Sequence, residues 1–225
     1  MTLSKTDAVL KRAMDVALAS LGVAAAWPLL LGVAAAVRCQ MGGPVMYRQV
    51  RIGLDAKPFR LWKFRTMTNQ RSADGALLPD GERLTQLGRW LRETSLDELP
   101  QLLNVLAGDM SIVGPRPLLA RYVPRYTPRQ QLRHSVRPGV TGWAQINGRN
   151  TLDWNSRLEL DVWYAEHASL GLDIRIILRT FLLVLRREAV VSGAGAEMDE
   201  FWGLAGPPAA GPRAFPVEEN ESIPS

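Results

Sequence analysis

The sequence predicts a mostly helical α/β fold, a single membrane-associated domain, on three observations. Residues Val16 to Val37 form a 22-residue run without charge in which Ser20 is the one polar side chain, long enough to cross a bilayer. Two short stretches, Val45 to Val50 and Phe59 to Met67, flank the turn-rich segment Gly53 to Pro58 and read as paired strands in a small hairpin. Beyond them, runs at 82–92 and 173–187 place apolar side chains on one helical side, as amphipathic helices do.

The apolar run is too long, and too poor in cleavage-site context, for a signal peptide. Lys5, Lys11 and Arg12 precede it and Arg38, Arg48 and Arg51 follow it, so basic residues mark both ends as cytoplasmic. Pro28, near its middle, removes an amide donor and bends a helix. A helix bent there would be re-entrant, with both ends on one face. A kinked spanning helix satisfies the same residues, and the buried helix of a soluble protein is a third reading. The expected organisation is a basic flank and membrane helix over 1–38, a catalytic domain at the cytoplasmic face over 39–202, and a disordered tail over 203–225, where five prolines fall in 23 residues.

The chain carries a net charge of +5, and the tail from Gly203 contributes −2, leaving +7 on residues 1–202. Such a body favours anionic lipid or phosphate-bearing ligands. Cys39 is the one cysteine, which excludes an intramolecular disulfide and a thiolate zinc cluster. With His134 and His167 alone, carboxylates are left to bind any metal, favouring a hard ion such as magnesium. Seven tryptophans, Trp27, Trp62 and Trp90 among them, fit interfacial anchoring and core packing alike. No glycine-rich nucleotide motif and no nucleic-acid-binding motif is present.

Between 82 and 92, Leu84, Leu87 and Leu91 share a helical side, and a second helix starts near Pro100, carrying Leu102, Leu103, Val105 and Leu106. Just ahead of it stand Asp97 and Glu98, in the block TSLDELPQLLNVLAGDMSIVGPRP that ends at Arg116 between two prolines. An adjacent carboxylate pair and a rigid guanidinium suit phosphate chemistry: a carboxylate can attack phosphorus or hold a divalent ion, and an arginine can grip phosphate with two donors. Ser95 to Glu98 equally fits a capping box, in which neither residue does chemistry. Arginines recur at 121, 125, 129, 133 and 137, but Pro124 and Pro128 prevent one helix; Thr127-Pro128 caps a shorter one, and Arg129 and Arg133 read as a solvated charged face. Arg137 opens RPGVTGWAQINGR, whose glycines permit close backbone approach to a ligand. In the last helix Ile174, Ile177, Leu178, Phe181, Leu182 and Leu185 oppose Arg175, Arg179 and Arg186, as in an interfacial helix or an ordinary core helix.

Together KRAMD at 11–15, the Pro28 segment, GGPVMYRQVRIG at 42–53, FRLWKFRTM at 59–67, LDELPQLLNVLAGDMSIVGPRP and RPGVTGWAQINGR resemble the bacterial sugar transferases, the monotopic phosphoglycosyl transferases, from about Lys11 to Gly203. The resemblance implies a re-entrant membrane helix bent at Pro28 and transfer of a phosphosugar from a UDP-sugar to polyprenyl (undecaprenyl) phosphate, with magnesium, at the cytoplasmic face of the bacterial inner membrane. It implies Asp97 as the nucleophile that forms a covalent phosphosugar intermediate and releases UMP, and Glu98 as the residue supporting the metal and the charge of Asp97. Lys63, Arg65, Arg116 and Arg137 are the candidate phosphate contacts. The product would begin glycoconjugate synthesis.

Family members commonly place serine before the kinking proline, whereas this chain has Trp27, which removes a hydroxyl that could bond the freed carbonyl. With about ten residues ahead of Lys11, the chain resembles the minimal members, and EMDEFWG at 197–203 is similar to the end of small members that use diacetamido sugars of the bacillosamine type. A homodimer would suit such an enzyme. A noncatalytic membrane scaffold or lipid-binding protein of the same fold is the alternative, and it predicts that Asp97→Asn leaves function intact.

Overall fold

The computed structural model describes residues 4–148, 152–186 and 200–203. The tail expected to be disordered lies outside them apart from Gly203, as do Arg187, which ended the last expected helix, and Glu197 to Asp199 of EMDEFWG. The N-terminal helix α1, Lys5–Met41, runs through Pro28. Ser4 caps it by accepting the amide of Asp7 at 3.1 Å, and Gly42, at φ 73°, ends it.

Both halves of α1 pack on the same domain. Toward its start Ala19 joins Phe59, Leu61, Val105 and Met110, and toward its end Val33, Val37 and Met41 join Phe64 and Leu91. Polar side chains fix the start. Lys11 pairs with buried Asp173 at 2.6 Å and donates to the Val113 carbonyl, while the Asp15 carboxylate accepts from the Ser111 hydroxyl and the Ile112 amide, both at 2.9 Å. Breaking a buried pair such as Lys11–Asp173 costs about 3–5 kcal/mol, because it strands the partner's charge. Leu21, Trp27, Leu29 and Leu31, in the middle of α1, are exposed.

The expected hairpin is present, as β1 (Met46–Ile52) antiparallel to β2 (Pro58–Phe64). The helix expected over 82–92 divides into α2 (Asp80–Arg83) and α3 (Gln86–Glu93), because the Thr85 side chain accepts the Gly88 amide at 2.9 Å and starts a new helix there. Helix α4 spans Gln101–Ala107. Asn104 ties it to β2: its Oδ1 accepts the Trp62 amide at 3.0 Å and its Nδ2 donates to the Arg60 carbonyl at 2.8 Å.

A second ribbon, β3 (Ser111–Val113) parallel to β4 (Gly139–Thr141), has three residues in each strand and leaves no periodicity in the sequence. It brings the Arg116 loop against the 137–142 turn so closely that a Cβ on Gly139 would stand 2.0 Å from the Gly114 nitrogen. Gly139→Ala is therefore expected to destabilise by at least about 2 kcal/mol, since backbone on both sides must move. Chemical denaturation of the purified variant measures it.

After α5 (Pro128–Gln131) and α6 (Trp143–Ile146) come the long α7 (Trp154–His167) and α8 (Leu170–Leu185). Helix α8 buries Asp173 and Ile176 and exposes Ile174, Leu178, Phe181 and Leu182, so most of its apolar stripe faces away from the core.

Candidate active site

Asp97 and Glu98 sit in a 3-10 turn, Leu96–Glu98, immediately before Pro100 and α4, as the sequence predicted. Ser95 takes a left-handed conformation, φ 57°, and makes no side-chain cap, so the capping-box reading fails. The Glu98 side chain turns instead to two cations. Its Oε1 accepts from Lys63 Nζ and from Arg116 Nη2, each at 2.6 Å, and its Oε2 accepts from Arg116 Nη1 at 3.3 Å. This is a two-pronged arginine–carboxylate clamp with a lysine added.

The two carboxyls are driven in opposite directions. Burial pushes Asp97 up to about 6; Lys63 opposes that shift and the Glu98 charge adds to it. Burial also pushes Glu98 upward, but Arg116 and Lys63 together overcome it and hold Glu98 well below the usual carboxylate range. Among the described residues the Asp97 carboxylate has no hydrogen-bond or ion-pair partner, although the residue is only 6% exposed. One carboxylate is thus committed as a counter-ion while its neighbour is left desolvated and uncommitted, the condition of a nucleophile.

Of the other candidates, Lys63 and Arg116 are brought to this pair and two are placed elsewhere. Arg65 donates to the carbonyls of Met41 (2.7 Å), Gly43 (2.8 Å), Pro44 (3.3 Å) and Met67 (2.8 Å), a structural clasp on the end of α1. Arg137 donates to the Gly108 carbonyl at 2.9 Å, at the C-terminal end of α4, where Arg12 also holds the carbonyls of Val105 and Leu106. The Asp97–Glu98 pair lies beyond the other end of that helix, whose 7 residues alone span about 10 Å. Pro28 is exposed within α1, remote from the pair in sequence.

Several residues of this region escaped the sequence reading. Arg133 is not on a solvated face: it is 2% exposed and paired with buried Asp161 at 2.7 Å, and it donates to the Arg116 carbonyl at 2.7 Å. Arg129 is solvated, bridging Glu159 and Glu166. The four-residue arginine step misled because a 3-10 turn at Leu132–Ser135 follows α5 and rotates Arg133 inward. Arg51, in β1, reaches the carbonyl next to Arg116 at 3.4 Å, and Arg92 acts on Asp97 electrostatically. Arg133→Met is expected to cost about 3–5 kcal/mol by stranding Asp161, with Asp161→Asn in the same background recovering part of it. Denaturation of the single and double variants tests this coupling.

Among the described residues no cluster of three or more histidine, cysteine or acidic side chains could hold a metal. Magnesium does not need one, since it commonly takes one or two carboxylates and completes its shell with water and substrate phosphates. The uncommitted Asp97 carboxylate and the lightly used Oε2 of Glu98 fit that role.

Residues 6–187 match the family model described as bacterial sugar transferase. The chain is 50% identical over 195 residues to the uncharacterized sugar transferase EpsL of Bacillus subtilis, covering 87% of this chain and 96% of that protein. It is 45% identical over 191 residues to the UDP-glucose:undecaprenyl-phosphate glucose-1-phosphate transferase of Escherichia coli, and 38% identical over 186 residues to the UDP-N-acetylgalactosamine-undecaprenyl-phosphate N-acetylgalactosaminephosphotransferase of Aeromonas hydrophila. These two alignments each cover 79% of this chain, and 40% and 44% of the respective relatives. With a family match across most of its length and the motif lysine and arginine brought to the turn that carries the motif carboxylates, the chain belongs to the bacterial sugar transferases, a family of phosphoglycosyl transferases.

Proposed function

We propose that this protein transfers a phosphosugar from a UDP-sugar to polyprenyl phosphate, through a covalent intermediate on Asp97, at the cytoplasmic face of the bacterial inner membrane. The observation that carries the reading is the contrast between uncommitted Asp97 and clamped Glu98. In the first step an Asp97 oxygen attacks the sugar-bearing phosphorus and UMP leaves. In the second, the lipid phosphate attacks the same phosphorus and frees Asp97. Lys63 and Arg116, already fixed by Glu98, meet the phosphate charge without reorganising. Bound to Asp97 and Glu98, magnesium would supply further charge neutralisation to the diphosphate.

A re-entrant α1 is supported by its packing. Lys11 and Met41 both touch the same domain, from opposite ends of the apolar run. A helix crossing the bilayer between them would carry one of those contacts to the far side. The exposed middle of α1 and the outward apolar stripe of α8 would then each face lipid, with exposed Trp27 and Trp90 as interfacial anchors.

The test uses the full chain in lipid nanodiscs with magnesium and a panel of UDP-glucose, UDP-N-acetylgalactosamine and a UDP-diacetamido sugar. Without polyprenyl phosphate, the correct donor should release about one UMP per enzyme and add a phosphosugar mass to the peptide bearing Asp97, as a two-step scheme requires. UMP that appears only after acceptor is added would replace the covalent scheme with direct displacement. Chelation by EDTA is expected to reduce UMP release to background and added magnesium to restore it; full activity in EDTA would remove the metal from the scheme.

A further inference from the structure

In the hairpin, Tyr47 pairs with Lys63, Gln49 with Leu61 and Arg51 with Phe59. Cross-strand partners share a face of a ribbon. Tyr47, Gln49 and Arg51 therefore form a row on the face that presents Lys63 to Glu98. The Arg51 side chain turns back along this row: its Nη2 donates to Gln49 Oε1 at 2.6 Å and its Nη1 reaches the Pro117 carbonyl, next to Arg116, at 3.4 Å. Its Nε is shielded from solvent and has no hydrogen-bond partner. Both acceptors are neutral, and among the described residues no carboxylate pairs with it.

The charges do not balance around this guanidinium. Lys63 and Arg116 converge on the single carboxylate of Glu98, and Arg51 stands beside them with none of its own. In this half-buried guanidinium the shielded, orphaned Nε donor carries a cost that a bound anion would remove. Burial, reinforced by the Arg116 charge, pushes Arg51 down to about 10. The contacts also run in an order: Asp97 adjoins Glu98 in the chain, Glu98 holds Arg116, and Arg51 reaches the carbonyl of Pro117, the residue after Arg116, so the Glu98–Arg116 clamp links Asp97 to Arg51.

We propose that Arg51 binds the phosphate that departs with the nucleotide, an inference that rests on the donor reading above. With the sugar-bearing phosphate held between Asp97 and the Lys63–Glu98–Arg116 clamp, in-line displacement directs the leaving oxygen away from Asp97 and toward Arg51. The new bond joins an Asp97 oxygen to that phosphorus. The bond from the phosphorus to the bridging oxygen breaks, its electron pair stays on the oxygen, and no proton is transferred. The nucleotide phosphate gains one negative charge, which the Arg51 donors meet as it develops.

The experiment is titration of detergent-solubilised full-length protein with UMP and, separately, with uridine, on wild type, Arg51→Gln and Arg51→Lys, by calorimetry. The expected result is a loss of UMP affinity of about tenfold or more in Arg51→Gln, a smaller loss in Arg51→Lys, and unchanged uridine affinity. Unchanged UMP affinity in Arg51→Gln overturns the assignment, including the case where only the KM for polyprenyl phosphate rises, which would make Arg51 an acceptor contact. Equal losses for UMP and uridine overturn it too, because Arg51 would then support the pocket rather than the phosphate. A wild type that binds neither ligand strikes at the UDP-sugar reading itself, separately from Arg51.

Discussion

Asp97→Asn is expected to lower phosphosugar transfer by roughly a thousandfold or more, as loss of a covalent nucleophile does, while making the protein more stable above pH 6. The carboxyl rises from its ordinary 3.8 to about 6 in the fold, chiefly because burial disfavours its charged form. The folded state therefore holds this proton more tightly than the unfolded chain. The stability linked to the neutral form is complete below about pH 4 and is lost as pH climbs through 6. At pH 7.5 the wild type carries the whole cost, about 3 kcal/mol at ~1.4 kcal/mol per pH unit. Asparagine has the same shape and no charge. Denaturation from pH 4.5 to 8 should show a gap between variant and wild type that opens with rising pH. A gap independent of pH would mean that Asp97 is not held back from ionising, and unimpaired turnover would remove Asp97 as the nucleophile.

The same carboxylate shows what sequence could and could not disclose. The placement of Asp97 and Glu98 ahead of α4 was legible because Pro100 fixes the start of that helix by its missing donor. Lys63 and Arg116 were legible as residue types suited to phosphate, and the hairpin and the clamp bring both to Glu98. Arg65 and Arg137 have the same chemistry and nearly the same local setting, yet their donors close on backbone carbonyls. That difference is set by tertiary packing, since a guanidinium goes to whichever acceptors the fold brings within reach. Arg133 escaped for a related reason, a 3-10 turn that breaks the helical period and rotates a basic residue inward. The parallel ribbon β3–β4 escaped because three residues are too few to show alternation. In α1, composition gave the apolar run, but the packing of Ala19 and Val37 on one domain left no trace in it.

Glu98→Gln should separate a counter-ion that merely holds the site together from one that sets the charge of the nucleophile. Removing the carboxylate leaves Lys63 and Arg116 without their shared partner, and a loss of about 1–2 kcal/mol is expected, because both cations are partly exposed and water screens part of the stranded charge. A purely structural ion pair predicts that loss and nothing more. The electrostatics predict a second effect, because the Glu98 charge helps to raise Asp97 while Lys63 and Arg116 lower it. With Glu98 neutral, the repulsion disappears and both cations act on Asp97 unopposed, so its carboxyl must fall. In the proposed scheme the first half-reaction requires ionised Asp97, so its rate is expected to rise with pH through about 6 in the wild type. In Glu98→Gln the rising limb should move to lower pH even as the plateau falls by roughly a hundredfold, through lost positioning of Lys63 and Arg116. Pre-steady-state UMP release from pH 4.5 to 8 reads both quantities. A limb that stays near 6 in a variant that has lost stability would confine Glu98 to the structural role. A limb that moves acidward identifies the Lys63–Glu98–Arg116 clamp as the device that keeps Asp97 near its point of ionisation, where a desolvated carboxylate is reactive enough to attack phosphorus.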